Sequence, residues 1–228
     1  QFGPGEDLDS YPRRLDADCE LAEGAGAHAV FCPTDEIMYP SSYATYVDQK
    51  GLTEVLEGAH RPGHFRGVLT IVCKLLNCVP ADRAFFGQKD FQQTVVIRRM
   101  VRDLDMAVDI RVMPIVREPD GLAMSSRNEY LDQDERRQAL CLSRALSEAA
   151  RRYQEGLTDA NEARKAMREV IEAEPLADPD YVEIVDVSTL QPVETLSDRA
   201  VAVLAVHVGD TRLIDNLPLA EGPPKPAQ

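Results

Sequence analysis

The sequence predicts an α/β protein, with a parallel sheet covered by helices and then a smaller α+β domain. Three observations point there. Helical and strand-like patterns alternate through the first half, the signature of a parallel sheet with crossover helices. The second half instead runs two long helices and then strands. Gly and Pro punctuate the ends of these segments. With 228 residues, 44% of them hydrophobic, the chain can bury one large core or two small ones.

Leu15 to Glu23 reads as a short helix. Ala29-Val30-Phe31-Cys32 reads as a buried strand closed by Pro33. Tyr43 to Gln49 is β-prone but mixed polar, and reads as an excursion. Phe65, Val68, Leu69, Val72, Leu75 and Leu76 recur at three- and four-residue spacing, giving an amphipathic helix that Pro80 follows. Arg83 to Gly87 reads as a strand. Gln93 to Leu104 is helical, with Val96, Ile97, Met100, Val101 and Leu104 on one face. Asp109 to Met113 is a strand stopped by Pro114.

Beyond it, Gln133 to Gln154 reads as one long helix and Asp159 to Glu174 as a second, ended by Pro175. Tyr181 to Val187, Ala200 to Val208 and Thr211 to Asn216 are strand-like. The expected domains are residues 1–115 and 116–218, with 219–228 a Pro-rich disordered tail.

Bulk properties narrow the function. The net charge is −14, which repels a phosphate backbone and disfavours general nucleic-acid binding. A polyanionic ligand would need local cations, backbone N–H groups and Mg²⁺ to overcome that field. No apolar run reaches the ~18 residues that would span a membrane. The five cysteines lack Cys-x-x-Cys spacing and read as small buried hydrophobes in a reducing cytosol. The chain opens on Gln1-Phe2-Gly3-Pro4 rather than Met or a signal peptide, so Gln1 reads as an internal cut in a longer protein.

Three segments carry the chemistry. In Phe85-Phe86-Gly87-Gln88-Lys89-Asp90, Gly87 permits close backbone approach or positive φ. Lys89 sets a cation at a helix start, where unpaired N–H groups already favour anions. Asp90 suits a helix N-cap, a Mg²⁺ ligand or both. Gln93 lies one turn further on and can direct its amide into the same cleft. A well-capped helix with a solvated Lys explains the same spacing.

In Asp120-Gly121-Leu122-Ala123-Met124-Ser125-Ser126-Arg127-Asn128, two hydroxyls and a guanidinium follow a flexible Gly. These are good phosphate ligands, although the serines could equally cap the next helix. In Arg61-Pro62-Gly63-His64-Phe65-Arg66, His64 sits between two arginines at a helix start. It can serve a carboxylate or phosphate, or merely the helix terminus. His28, His60 and His207 have no obvious partners in the sequence.

Together these segments resemble the pantothenate synthetase (pantoate–β-alanine ligase) family. The matching stretches are Phe85 to Gln93, Asp120 to Asn128 and Arg61 to Val68, with Gly209 to Asn216 similar to the family's last strand. The opening residues Gln1 to Arg13 look like the segment after its Asn-Pro-x-Gln-Phe motif. The resemblance thus runs in order from Gln1 to about Asn216.

It implies a nucleotidyltransferase-type Rossmann domain, missing its first strands in this chain, a smaller C-terminal domain and a cytoplasmic homodimer. It implies Mg²⁺, ATP, (R)-pantoate and β-alanine, joined through a pantoyl adenylate with release of pyrophosphate and AMP. By the same resemblance Gly87, Gln88, Lys89 and Asp90 fall in the ATP site, with Lys89 on the phosphates and Asp90 near Mg²⁺. Val116 borders the adenine through its backbone, and Met124, Ser125, Ser126 and Arg127 form a phosphate-binding loop. Lys89, Ser125, Ser126 and Arg127 are the expected catalytic groups. Gln93 holds pantoate, Gln1 contacts pantoate and β-alanine, and His64 sits near the pantoate pocket.

Two departures stand out. Gln88 replaces a usual Glu, and the family's Pro-Thr-Met-Gly-x-Leu-His-x-Gly-His motif, expected upstream of Gln1, does not occur in these residues. Two other readings stand beside this one, a non-catalytic fragment or pseudoenzyme and another adenylate-forming nucleotidyltransferase.

Overall fold

The computed structural model describes residues 14–224. The expected role of Gln1 therefore lies outside the described residues. Element order follows the chain: α1 (Leu15–Gly24), α2 (Asp35–Met38), α3 (Glu57–His60), α4 (His64–Cys78), β1 (Arg83–Gly87), α5 (Phe91–Asp103), β2 (Asp109–Met113), α6 (Gln133–Ala139), α7 (Cys141–Gln154), α8 (Ala160–Glu172), β3 (Ala177–Asp186), β4 (Ala200–Val208) and β5 (Thr211–Pro218). Strands β1 and β2 pair in parallel, Arg83 opposite Asp109 through Gly87 opposite Met113. Helix α5 is their crossover, as a parallel pair requires. Strands β3, β4 and β5 form a separate antiparallel sheet in that order. The architecture is the α/β arrangement expected, with a small C-terminal α+β unit.

The C-terminal sheet sits between two layers. Leu204, Val206 and Val208 face a core with Leu142, Leu146, Met167 and Ile171 of α7 and α8. Val201 and Val203, on the opposite face of β4, pack with Phe65, Leu69, Val96 and Ile97 of α4 and α5. Both faces of β4 are therefore covered, and its sequence Ala-Val-Ala-Val-Leu-Ala-Val is correspondingly an unbroken apolar run. The sheet welds the two halves of the chain, and its β5 edge faces the segment after β1.

Several expected elements differ. Ala29 to Cys32 is not a strand, and Val30 and Phe31 are 52% and 55% exposed. A strand exists only through ladder partners, and none of the described residues pairs with this one. The expected 133–154 helix is two: Leu140, with ψ of −11°, separates α6 from α7. Both helices touch β4, and α7 packs in addition on α8 and β5. A capping box starts α6, in which Asp132 Oδ1 accepts from the Asp134 and Glu135 amides and Glu135 Oε2 accepts from the Asp132 amide.

Helix α5 starts at Phe91, two residues before the expected Gln93, because a 3-10 turn over Gln88–Asp90 leads into it. Leu219–Glu221 form another 3-10 turn, with Leu219 fully buried, where the sequence suggested the start of a disordered tail. Leu219 belongs to the core of α7 and α8, so apolar burial overrides the polar, Pro-rich context that follows it. Of the cysteines, only Cys141 is buried, and Cys32 and Cys78 are exposed. Burial pushes the Cys141 thiol up to about 11, making it inert.

Candidate functional site

The 3-10 turn between β1 and α5 delivers Lys89 and Asp90 to the carboxyl end of β1, the place where α/β sheets bind ligands. Two adjoining cavities share this turn. One, of about 50 Å³, is lined by Lys89, Asp90, Gln93, Arg61, His64 and Glu57. By the ~10–15 Å³ that one enclosed water needs, it suits a small polar molecule. The other, about 520 Å³, is lined by Lys89, Asp90, Arg61, Ser125 and Arg127, and by Arg212 of β5. Its volume falls in the ~300–1,000 Å³ range of small-molecule sites.

The structure thus brings together Lys89, Asp90, Gln93, His64, Ser125 and Arg127. His64 is anchored by Arg61, Nη1 to Nε2 at 3.2 Å. The two glutamines after Phe91 divide their roles. Gln92 is buried and structural: its Oε1 accepts from the Glu57 amide at 3.0 Å, and its Nε2 donates to the Leu52 and Val55 carbonyls at 2.8 Å each. Both line the small cavity, but the Gln92 amide is already engaged by these three bonds, and among the described residues no such bond ties down Gln93.

Other expectations shift. Gly87 has φ of −75°, so the positive-φ reason for a glycine does not apply. A Cβ there would meet nothing within 4 Å, so the space before its backbone is open to a ligand. Asp90 stands at the N-cap position of α5, yet its side chain makes no capping hydrogen bond. Gln88 turns away from both cavities, its Nε2 donating to Asn216 Oδ1 at 3.3 Å, so the missing Glu charge lies off the site. Ser125 Oγ accepts from the Arg127 amide at 3.3 Å, and Ser126 begins the following 3-10 turn rather than lining either cavity. Val116 and Met124 are 61% and 55% exposed, and the Met124 amide donates to the Val116 carbonyl at 2.9 Å.

The loop that carries Ser125 and Arg127 is braced at its foot. Asn128 Nδ2 donates to Glu118 Oε1 at 2.6 Å and to the Ala123 carbonyl at 3.0 Å. Arg136 bridges Glu118 and Asp120, at 2.6 and 2.7 Å. Arg136 holds the Glu118 carboxyl below its ordinary range, outweighing burial.

Sequence reasoning missed the charged struts from the C-terminal sheet. Arg212 donates to both Glu57 oxygens at 2.8 Å and to Asp180 at 2.7 Å. Tyr181 adds a 2.8 Å bond to Glu57. Burial pushes Glu57 up, but Arg212, Tyr181 and Arg61 together outweigh it and hold the carboxyl below its usual range. A depressed carboxylate contributes stability above its unfolded pKa that is lost as pH falls through the folded one. His60 and His207, without partners in the sequence, both face Asp180, at 4.0 and 3.7 Å. Deeper in, Arg117 forms a bidentate pair with Asp215 at 2.7 and 3.0 Å, with side chains 4% and 1% exposed. The available signal was polarity inside an apolar strand: Arg212, Asp215 and Asn216 interrupt β5, and a polar or charged group buried in a strand needs a partner.

Chemically, the site offers a lysine at a helix start, a carboxylate that caps no helix, a hydroxyl and three arginines around a cleft. An adjoining small chamber carries an amide and an imidazole. Such an arrangement can hold a polyphosphate against a small polar acid.

Comparison with known proteins agrees with this chemistry. Residues 1–218 match the family model described as pantoate-beta-alanine ligase. The pantothenate synthetase of Moorella thermoacetica is 56% identical over 219 residues, covering 96% of this chain and 77% of that protein. That of Acetivibrio thermocellus is 54% identical over 95% of this chain and 77% of its own length. The crystal structure of Thermus thermophilus pantothenate synthetase superposes with a TM-score of 0.93 at 45% identity, over 96% of this chain and 79% of that one. A Francisella tularensis pantoate-beta-alanine ligase, crystallised with beta-gamma ATP and beta-alanine, superposes at 0.71 with 27% identity, over 95% and 74%.

Proposed function

The chain belongs to the pantoate–β-alanine ligase family, ATP-consuming enzymes of pantothenate biosynthesis, and from that premise we propose how its residues divide the reaction. The observation that carries the reading is the wall of Lys89 and Asp90, shared by a large cleft and by a small chamber that Gln93 also lines. ATP occupies the large cleft, its phosphates between Lys89 on one side and Ser125 and Arg127 on the other. Ser126 helps shape that loop, and Met124 and Val116 offer the adenine an exposed apolar edge. Pantoate fills the small chamber, its polar groups on Gln93 and beside His64. Gly87, without a side chain, lets the ATP approach the turn, and Gln88 braces that turn from behind.

The carboxylate of pantoate attacks the α-phosphorus. A new carboxyl–phosphorus bond forms as the bond to pyrophosphate breaks, giving pantoyl adenylate. The neutral amine of β-alanine, having given up a proton to solvent, then attacks the acyl carbon; the carbon–oxygen bond to AMP breaks, and the new amide nitrogen releases a second proton to solvent. Both steps depend on neutralising and positioning charge more than on a protein nucleophile. Asp90 fits a Mg²⁺ that arrives with the nucleotide. It is an exposed carboxylate with no capping bond, and Mg²⁺ typically takes one or two protein carboxylates and fills its shell with phosphates and water. When bound, the ion supplies charge neutralisation at the phosphates. The family resemblance supports a cytoplasmic homodimer.

The other two readings, a non-catalytic fragment and a different nucleotidyltransferase, gain nothing from the comparisons. Exchange of labelled pyrophosphate into ATP tests the proposal. It is expected with pantoate and without β-alanine. Exchange independent of pantoate, or requiring β-alanine, would contradict an adenylate formed from pantoate.

A further inference from the structure

We propose that Asn216 is a positioning residue for the adenylation step, acting through the backbone of residues 88 and 89. The proposal rests on the assignment of Lys89 to the phosphates. Asn216 is 2% exposed near the end of β5. Its Nδ2 donates to the Gln88 carbonyl and to the Lys89 carbonyl, both at 3.0 Å. Its Oδ1 accepts from Gln88 Nε2 at 3.3 Å. Every polar atom of this side chain is thus engaged by the two residues that precede Asp90.

The placement has a physical reason. Residues 88–90 lie between the end of β1 and the start of α5, where neither a strand ladder nor the helix fixes the chain. A 3-10 turn of this length has weak hydrogen-bond geometry of its own. Asn216 supplies two donors from a strand of the rigid C-terminal sheet, and so sets the height and direction from which Lys89 leaves the backbone.

Its neighbour completes the device. Asp215 accepts from the Asn216 amide at 2.8 Å and holds Arg117, whose Nη1 also donates to the Gly121 carbonyl at 3.1 Å. Gly121 lies at the foot of the loop bearing Ser125 and Arg127. Two adjacent residues of β5 therefore fix the two phosphate-binding segments to one strand. The pair also keeps the Asp215 carboxylate occupied by Arg117, so Lys89 faces a neutralised neighbour.

The test is a double-mutant cycle with Asn216→Ala and Lys89→Ala, read as pantoate-dependent pyrophosphate exchange per folded molecule, with folded fraction from circular dichroism. Asn216→Ala is expected to lower kcat about tenfold with the KM for pantoate within about twofold, as a misplaced transition-state charge should. Asn216→Asp, which sets a carboxylate against two carbonyls, should be worse than Ala. In the Lys89→Ala background Asn216→Ala should cost less than about twofold further, because both changes remove one contact. Undiminished kcat per folded Asn216→Ala molecule, or fully multiplicative losses in the double variant, would overturn the proposal. Normal exchange by Lys89→Ala alone would instead overturn the assignment of Lys89 on which it stands.

Discussion

Lys89→Ala should lose on the order of 10²-fold or more in the rate of pantoate-dependent exchange, as removal of a preorganised transition-state contact does. Lys89 lines both cavities. It sits just ahead of α5, so its ammonium adds to the unpaired N–H groups at that helix terminus. Negative charge develops on the leaving pyrophosphate during adenylation, and a lysine in this position answers it. Among the described residues its side chain makes no hydrogen bond or ion pair that holds the fold together. Stability should therefore change by no more than about 0.5 kcal/mol, as for ordinary surface substitutions. That separation of rate from stability is the expected signature. Near-normal exchange by a well-folded Lys89→Ala protein would remove Lys89 from the mechanism.

Arg117→Ala should be the most destabilising single change at the site. The Arg117–Asp215 pair is almost completely buried, and breaking such a pair costs about 3–5 kcal/mol because one charge is left without compensation. Burial already pushes the Asp215 carboxyl above its ordinary range, with Arg117 pulling the other way. Without the guanidinium it must rise further. A raised carboxyl keeps its proton in the native state where the unfolded chain has released it. Stability then falls as pH rises from the unfolded value toward the folded one. The variant's deficit should consequently be largest near neutrality and shrink toward the ordinary carboxylate pKa of ~4. Urea unfolding of the parent and variant across that range measures it. A deficit that stays constant with pH, or is below about 1 kcal/mol, would mean that Asp215 is not held as a buried carboxylate.

Much of the site was legible because its chemistry is local in sequence. Lys89, Asp90 and Gln93 lie within five residues, and a strand ending at Gly87 followed by a helix puts them at one end of the sheet. Ser125 and Arg127 likewise sit on one loop, and both line the large cleft together with Lys89. Elements with strong periodicity, such as α4, α5 and β4, emerged for the same reason, since burial of one face or both leaves its mark along the chain.

The remainder depends on contacts between distant residues. Ala29 to Cys32 has the composition of a strand, but composition cannot supply a ladder partner. Leu140 gives no sequence signal for the break between α6 and α7. The pairs Glu57 with Arg212, Arg117 with Asp215, and Gln88 with Asn216 join positions 98 to 155 residues apart. Each partner alone reads as an ordinary polar residue. Only the interruption of β5 by Arg212, Asp215 and Asn216 hinted that something charged lay opposite.

The most direct test of pantoyl adenylate chemistry in this cleft is the fate of the carboxylate oxygens of pantoate. With both oxygens labelled as ¹⁸O, attack on the α-phosphorus transfers one of them to AMP and leaves the other in the amide carbonyl of pantothenate. Mass spectrometry of the products is expected to find one label in AMP and none in pyrophosphate. Unlabelled AMP, or label in pyrophosphate, would contradict that route.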